Sequence, residues 1–392
     1  MRTAAVKLLL SASLLLCCRA VPTNSILSAS VSTAADTATQ WATGLHEWMR
    51  SPWSKKLGDI CTDEDWRKTS LKLVRELPIA GLFRDLKGTT RWEASGTDIV
   101  DGDKLFMVFD SLDYVGYVST AFDYRAPQNK LIGREADQES SFEAIMFSPD
   151  TKTFLLVRET VPDDDDGLYR PSVVEARIGI SDYDTIQECP VEYDFEAANK
   201  GFEGGAYFNV GGERYLLGLC EGNNCKGGAK GQEIGNGMAI LTHYTTNKAG
   251  KCIWEFVKKV PLPAKAGFLD YADMAVFQTD LNPVAGVFPV AVVSQEDSAV
   301  WVGEIDTNKW EFVGPGEVFH FPRSRDCQIV YCNVEGISFI DRYQVIAISD
   351  RSKADQDYNC VERDQSVHIF LLPEPLKVAA PPASFNYSLA EL

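Results

Sequence analysis

The stretch NVEGISFIDRYQVIAIS, residues 333–349, sets a carboxylate, Glu335, between Val334 and Gly336, ahead of two apolar runs that read as β-strands. An ionised carboxylate in an apolar strand costs several kcal/mol unless something neutralises it. The placement recurs along the chain. RWEASGTDIV (91–100) carries Glu93, SFEAIMFS (141–148) Glu143, GFEGGAYFNV (201–210) Glu203 and YADMAVFQ (271–278) Asp273. Each acid precedes small residues and leads into a short apolar run. The interval is roughly 60 residues, longer than the 40–45 or so of a minimal propeller blade because of loops.

Behind each of these runs comes a second strand with a polar end: KLFMVFDS, FLLVRET, RYLLGLCEG, FPVAVVSQED and YQVIAISDRS. A third strand alternates in character: GYVSTAFDY, VVEARIGIS, GMAILTHYT, AVWVGEID and SVHIFLLP. Four units add a fourth strand, KLIGREA, PVEYDFEA, CIWEFVKKV and WEFVGPGEVFHF, and the fifth has none. An unattached strand near the start, LKLVRELPI (71–79), supplies the outer strand that the last unit lacks if the units close into a ring. The expected fold is all-β, a five-bladed β-propeller closed by an N-terminal strand. A short N-terminal helix is expected in DTATQWATGLHEWMR, with Trp41, Leu45 and Trp48 at helical spacing. A β-sandwich with irregular insertions is the competing architecture, and five repeats of one ordered pattern favour the propeller.

Residues 1–20, MRTAAVKLLLSASLLLCCRA, read as a cleaved secretory signal, with Arg2 and Lys7 ahead of an apolar run too short to span a bilayer. The expected divisions are this signal, an extension at 21–65 containing the helix, the propeller at 66–376 and a flexible tail at 377–392. The tail holds the sequon Asn386-Tyr387-Ser388, which makes the chain an expected secreted glycoprotein. With 38 basic and 56 acidic residues, a net charge of −18, the chain is a poor partner for nucleic acid or anionic membranes. A monomer is expected. Cys61, Cys189, Cys220, Cys225, Cys252, Cys327, Cys332 and Cys360 lie beyond the signal, an even set that favours disulfides in a secreted chain. Cys220 with Cys225, and Cys327 with Cys332, are spaced as local clasps.

The first strand of a propeller blade lines the central channel. Five blades would aim Glu93, Glu143, Glu203, Asp273 and Glu335 at one axis, where the carboxylates repel unless a cation sits among them. Hard oxygen ligands without nearby His or Cys select calcium, and Ser95 could add a neutral oxygen. The alternative is that each acid caps backbone amides of a neighbouring blade. The second strand runs antiparallel to the first. Asp110, Arg158, Glu159, Glu221, Glu296, Asp297, Asp350 and Arg351 are therefore expected to rim the same mouth.

VEGISFI, SQEDSA and the layout of one inner-strand acid per blade resemble the secreted calcium-activated nucleotidases, apyrases of the five-bladed propeller class. VEGISF is also similar to the esterase-like phytase propellers. The first resemblance implies one calcium ion in the tunnel, held by Ser95, Glu143, Glu203 and Glu335, with Asp273 where that family tends to use a serine. The family's basic residues after the second strands of blades one and three are replaced here by FDSLDY and CEGNNC. Arg158 and Arg351 remain as anion clamps, with Asp110 and Glu159 as acid or base.

Two readings of function follow. One is a calcium-dependent hydrolase of a small phosphate-containing or ester substrate. The other is a non-catalytic propeller that binds an extracellular glycan or protein. PDDDDG (162–167) places Val174 where an EF-hand needs Glu, so it reads as a solvated loop. Trp254, Trp301 and Trp310 are expected to pack between blades.

Overall fold

The computed structural model describes residues 64–133, 140–162, 168–196, 200–278, 286–353 and 356–376. The expected secretory signal, the expected tryptophan-bearing helix, residues 163–167 of PDDDDG and the sequon all lie outside these residues. A six-residue helix, α1 (Glu64–Thr69), leads into β1 (Lys72–Pro78). The first complete blade is β2 (Ala94–Val100), β3 (Lys104–Phe109), β4 (Leu112–Ser119) and β5 (Lys130–Ile132). The second is β6 (Phe142–Ser148), β7 (Thr153–Pro162), β8 (Tyr169–Ile178) and β9 (Tyr183–Pro190), and the third is β10 (Phe202–Val210), β11 (Glu213–Cys220), β12 (Met238–Thr246) and β13 (Cys252–Pro261). The fourth is β14 (Asp273–Val276), β15 (Val287–Ser294), β16 (Ala299–Asp306) and β17 (Glu311–His320). The last comprises β18 (Val334–Phe339), β19 (Gln344–Ser349) and β20 (Ser366–Leu371).

Five separate four-stranded antiparallel sheets result, each in simple sequence order except the last, which runs β1-β20-β19-β18. Strand β1 pairs with β20 from Lys72 opposite Leu371 to Pro78 opposite Ser366. The ring of a five-bladed propeller is therefore closed by a strand from the other end of the chain, as the unattached LKLVRELPI implied. A single blade has too little surface to bury both of its faces. Each of five apolar clusters accordingly fills the wedge between two neighbouring blades; Phe106, Phe142 and Phe154, for example, join the first and second. Trp254 and Trp301 are buried in two such wedges.

Two expectations need correction. The fourth strand of the second blade is Tyr183–Pro190, ahead of the expected PVEYDFEA. This strand is largely exposed, so its polar sequence hides the alternation that marks a half-buried strand. Between described residues the disulfides are Cys189–Cys252, Cys220–Cys225 and Cys332–Cys360. Cys220–Cys225 is a clasp as expected, but Cys332 reaches Cys360 in the helix α2 (Tyr358–Val361) rather than Cys327, which is itself disulfide-bonded.

Candidate functional site

The inner strands β2, β6, β10, β14 and β18 meet around the channel. At Gly96 an added Cβ would lie 2.7 Å from the Ala144 Cα and the Glu143 carbonyl oxygen, and at Gly204 it would lie 2.5 Å from the Met274 nitrogen. The small residues that follow the acids are thus required by backbone passing against backbone.

Strand register decides which acids are equivalent. In the first blade Ala94 pairs with Phe109 and Gly96 with Val108, which leaves Ser95 as the extra residue of a bulge. The same bulge holds Glu143 between Phe142 and Ala144, Glu203 between Phe202 and Gly204, and Glu335 between Val334 and Gly336. In the fourth blade Asp273 pairs directly with Val293, one residue past the corresponding point, where Ala272 stands. The expected ring of five equivalent acids is therefore corrected to Ser95, Glu143, Glu203, Ala272 and Glu335. Glu93 stands two residues earlier and is paired with Arg91.

A second tier follows from the same register. The residue two beyond each bulge's partner is Asp110, Glu159, Glu221, Gln295 or Asp350. Four of these five are acids. Gln295, rather than the expected Glu296 or Asp297, takes this place in the fourth blade; Asp297 accepts a hydrogen bond from the Leu269 amide at 2.7 Å.

The two tiers act on one another. Glu143 is 8 % exposed, while Glu203 and Glu335 are partly exposed to the channel. Burial first, then the charges of Glu203, Asp110, Glu335 and Glu159, hold the Glu143 carboxyl well above the usual carboxylate range. Burial and the charges of Glu221, Glu335 and Glu159 do the same to Glu203. Burial and Asp350 push Glu335 up to about 8, and burial, with Glu93 and Asp110 adding, pushes Asp350 up to about 7. Glu159 is raised by burial and by Asp110 and Glu221. Two lysines enter this field: Lys200 is bonded to Glu221, and Lys353 lowers the proton affinity of Glu335.

Other expected site residues are engaged elsewhere. Asp273 accepts the amide of Ile337 in the next blade at 2.8 Å, so it anchors backbone. The Ser95 hydroxyl donates to the Phe142 carbonyl. Arg158 turns towards the outer strand, where it meets Glu188 at 2.8 Å and the Ser140 carbonyl at 3.1 Å. Arg351 is exposed. Among the described residues, no three carboxylate, imidazole or thiolate groups already stand together as a metal-ligand set.

One constellation was invisible in the sequence. Ser349 Oγ lies 2.9 Å from His368 Nε2, and His368 Nδ1 lies 2.9 Å from the Glu76 carboxylate. Nucleophile, base and orienting acid have the spacing of a catalytic triad. Ser349 is only 2 % exposed and His368 0 %, so no substrate reaches the hydroxyl. The trio instead links β19, β20 and the closing strand β1.

No family model matches the chain, and no curated protein matches it. Among solved structures, the chain is similar to a GH43 β-1,3-galactosidase at 9 % identity, over 76 % of this chain and 94 % of that one, with a TM-score of 0.41. It is similar to an exo-β-1,3-galactanase from Clostridium thermocellum at 11 % identity, over 78 % and 64 % of the two chains, with a TM-score of 0.42. A third likeness is the Dos1 propeller, at 10 % identity over 65 % and 53 %, with a TM-score of 0.30. The propeller assignment rests on the five sheets themselves.

Proposed function

We propose that the acidic mouth binds a divalent cation, calcium by ligand chemistry, with Glu143, Glu203 and Glu335 as its charged donors. The observation that carries this reading is the register. Three blades present a carboxylate at the same bulge; Glu203 and Glu335 raise the proton affinity of Glu143, and Glu335 raises that of Glu203. Such a group is stable when neutralised, by protons at low pH or by a cation at neutral pH. An all-oxygen set suits calcium, which also accepts water ligands. Closing a ligand sphere requires the glutamate side chains to rotate inward.

A second reading places hydrolysis of a phosphate-bearing or ester substrate at the same cation. It is supported by Lys200 and Lys353, positive charges beside the acids, and by Asp110 and Glu159 as proton-transfer groups. The bound cation would supply Lewis-acid polarisation of the substrate oxygen.

Thermal melting in EDTA and then in millimolar calcium tests the proposal. Saturation a hundredfold above Kd is worth about 2.7 kcal/mol, a rise of about 4 °C in a domain of this size. A Glu203→Gln/Glu335→Gln double variant should lose that rise. The absence of a calcium-dependent shift in the unaltered protein would defeat it.

A further inference from the structure

At the channel end opposite the acids, a cavity of about 620 Å³ is lined by residues from all five blades. The inner strands start at the acidic mouth, and the cavity is built from their far halves and from the turns into the second strands. Its lining is mixed: Ile99, Phe147, Tyr207, Val276 and Phe339, each contributed by a different blade, supply apolar and aromatic surface, and Thr97, Gln278 and Ser338 supply polar groups. Asp101, Gly102 and Pro149, also at the cavity, are exposed, so this end opens to solvent. The volume lies within the roughly 300–1,000 Å³ of small-molecule sites.

Two acidic residues line the cavity, Asp98 in its wall and Asp101 at its rim. Asp98 is partly buried and lines the cavity. Its carboxylate accepts the amides of Phe147 at 2.6 Å and Ile99 at 2.8 Å, which leaves further lone pairs. Among the described residues no lysine, arginine or histidine pairs with it, whereas Asp101 at the rim is paired with Lys104 at 2.5 Å. Burial raises the proton affinity of Asp98 to about 7, and Asp98 in turn raises that of Asp273. Asp98 therefore faces the cavity without a counter-charge among the described residues. An anionic ligand would be repelled, and a neutral one would leave the carboxylate uncompensated.

We propose that this cavity is a binding site for a small organic cation, a protonated amine carrying an apolar or aromatic body, with Asp98 as its counter-ion. The site is separate from the acidic mouth and independent of the calcium reading. Specificity comes from requiring both parts of the ligand, the body for the walls and the ammonium for Asp98.

Calorimetric titration of the full mature chain with 2-phenylethylammonium, beside its neutral isostere 2-phenylethanol, tests this. Saturable binding of one ammonium per chain is expected, at least tenfold tighter than the alcohol. Asp98→Asn keeps one acceptor oxygen for the Phe147 amide and should weaken the ammonium about tenfold. Ile99→Trp, which fills the cavity from a partly exposed position, should abolish binding. If Asp98→Asn does not fold, the ammonium and alcohol pair still reads the charge requirement and Ile99→Trp still reads the location. No saturable binding, equal affinity for the two probes, or undiminished binding by Ile99→Trp would each overturn the proposal. The last result would put the amine at the acidic mouth.

Discussion

The two ends of the channel are built from the same five strands and differ in almost everything else. At the acidic end, neighbouring backbones touch at Gly96 and Gly204, and carboxylates crowd in two tiers. At the other end, side chains as large as Phe147 and Tyr207 hold the strands apart, and a cavity remains. The cause is the local sequence along each inner strand. Glycine or alanine beside the bulge permits close approach, and aromatic residues a few positions later forbid it. One end concentrates charge where backbone contact fixes the geometry, and the other offers open volume with a mixed apolar and polar lining.

The largest effect on this contrast should come from steric change at the narrow end. A Gly204→Val side chain would press on the Met274 nitrogen and the Asp273 Cα, both backbone atoms that cannot give way. A loss of about 3 kcal/mol or more in denaturant unfolding, or no folded protein at all, is expected. Ile99→Trp, an enlargement at the wide end, should cost about 1 kcal/mol or less. Equal costs would mean that the ends do not differ in packing.

The next effect is electrostatic. Glu335 has its proton affinity raised to about 8 in the folded state, against an ordinary value of 4.5, so the folded protein binds more protons than the unfolded chain between those values. Its contribution to stability is present in full below about pH 4.5 and is lost as pH rises towards 8. Melting temperature in EDTA should therefore fall between pH 5 and 8, with each proton of difference worth about 1.4 kcal/mol per pH unit. Glu335→Gln should flatten the profile, and calcium should restore stability at the upper end. A profile that rises over this range would show that the mouth carboxylates are ionised without strain.

The contrast also explains what could be read in the chain. Repeated acids followed by small residues stand out against apolar strands, so the blade count, the acidic mouth and the closing strand were legible. The wide end was not, because Ile99, Phe147, Tyr207, Val276 and Phe339 are what any buried strand contains. Asp98 looked like part of one strand, since its cavity exists only when five blades meet. The trio Ser349, His368 and Glu76 was hidden for the same reason, as ring closure alone brings β1 to β20. Register was the subtler loss. A bulge adds one residue without a compositional mark, so Glu93 and Asp273 align with Glu143 by eye and not by pairing. The ends of the second strands held the signal, because counting back from Asp110, Glu159, Glu221 and Asp350 finds the bulge in four blades.

The smallest effect tests that register directly. The Glu93 side chain is held by Arg91 and acts on the mouth through its charge on Asp350, whereas Glu143 occupies a bulge in the channel. Glu143→Gln should therefore weaken calcium binding about tenfold or more, and Glu93→Gln only about twofold, in titrations at fixed pH and low salt. The twofold figure reflects loss of one screened charge at a distance, and the tenfold figure loss of a ligand. Equal losses in the two variants would mean that the acids act as one ring set by their spacing in the chain. A loss confined to Glu143→Gln would tie cation binding to the bulge, the feature that three blades share as a glutamate and the first shares as Ser95.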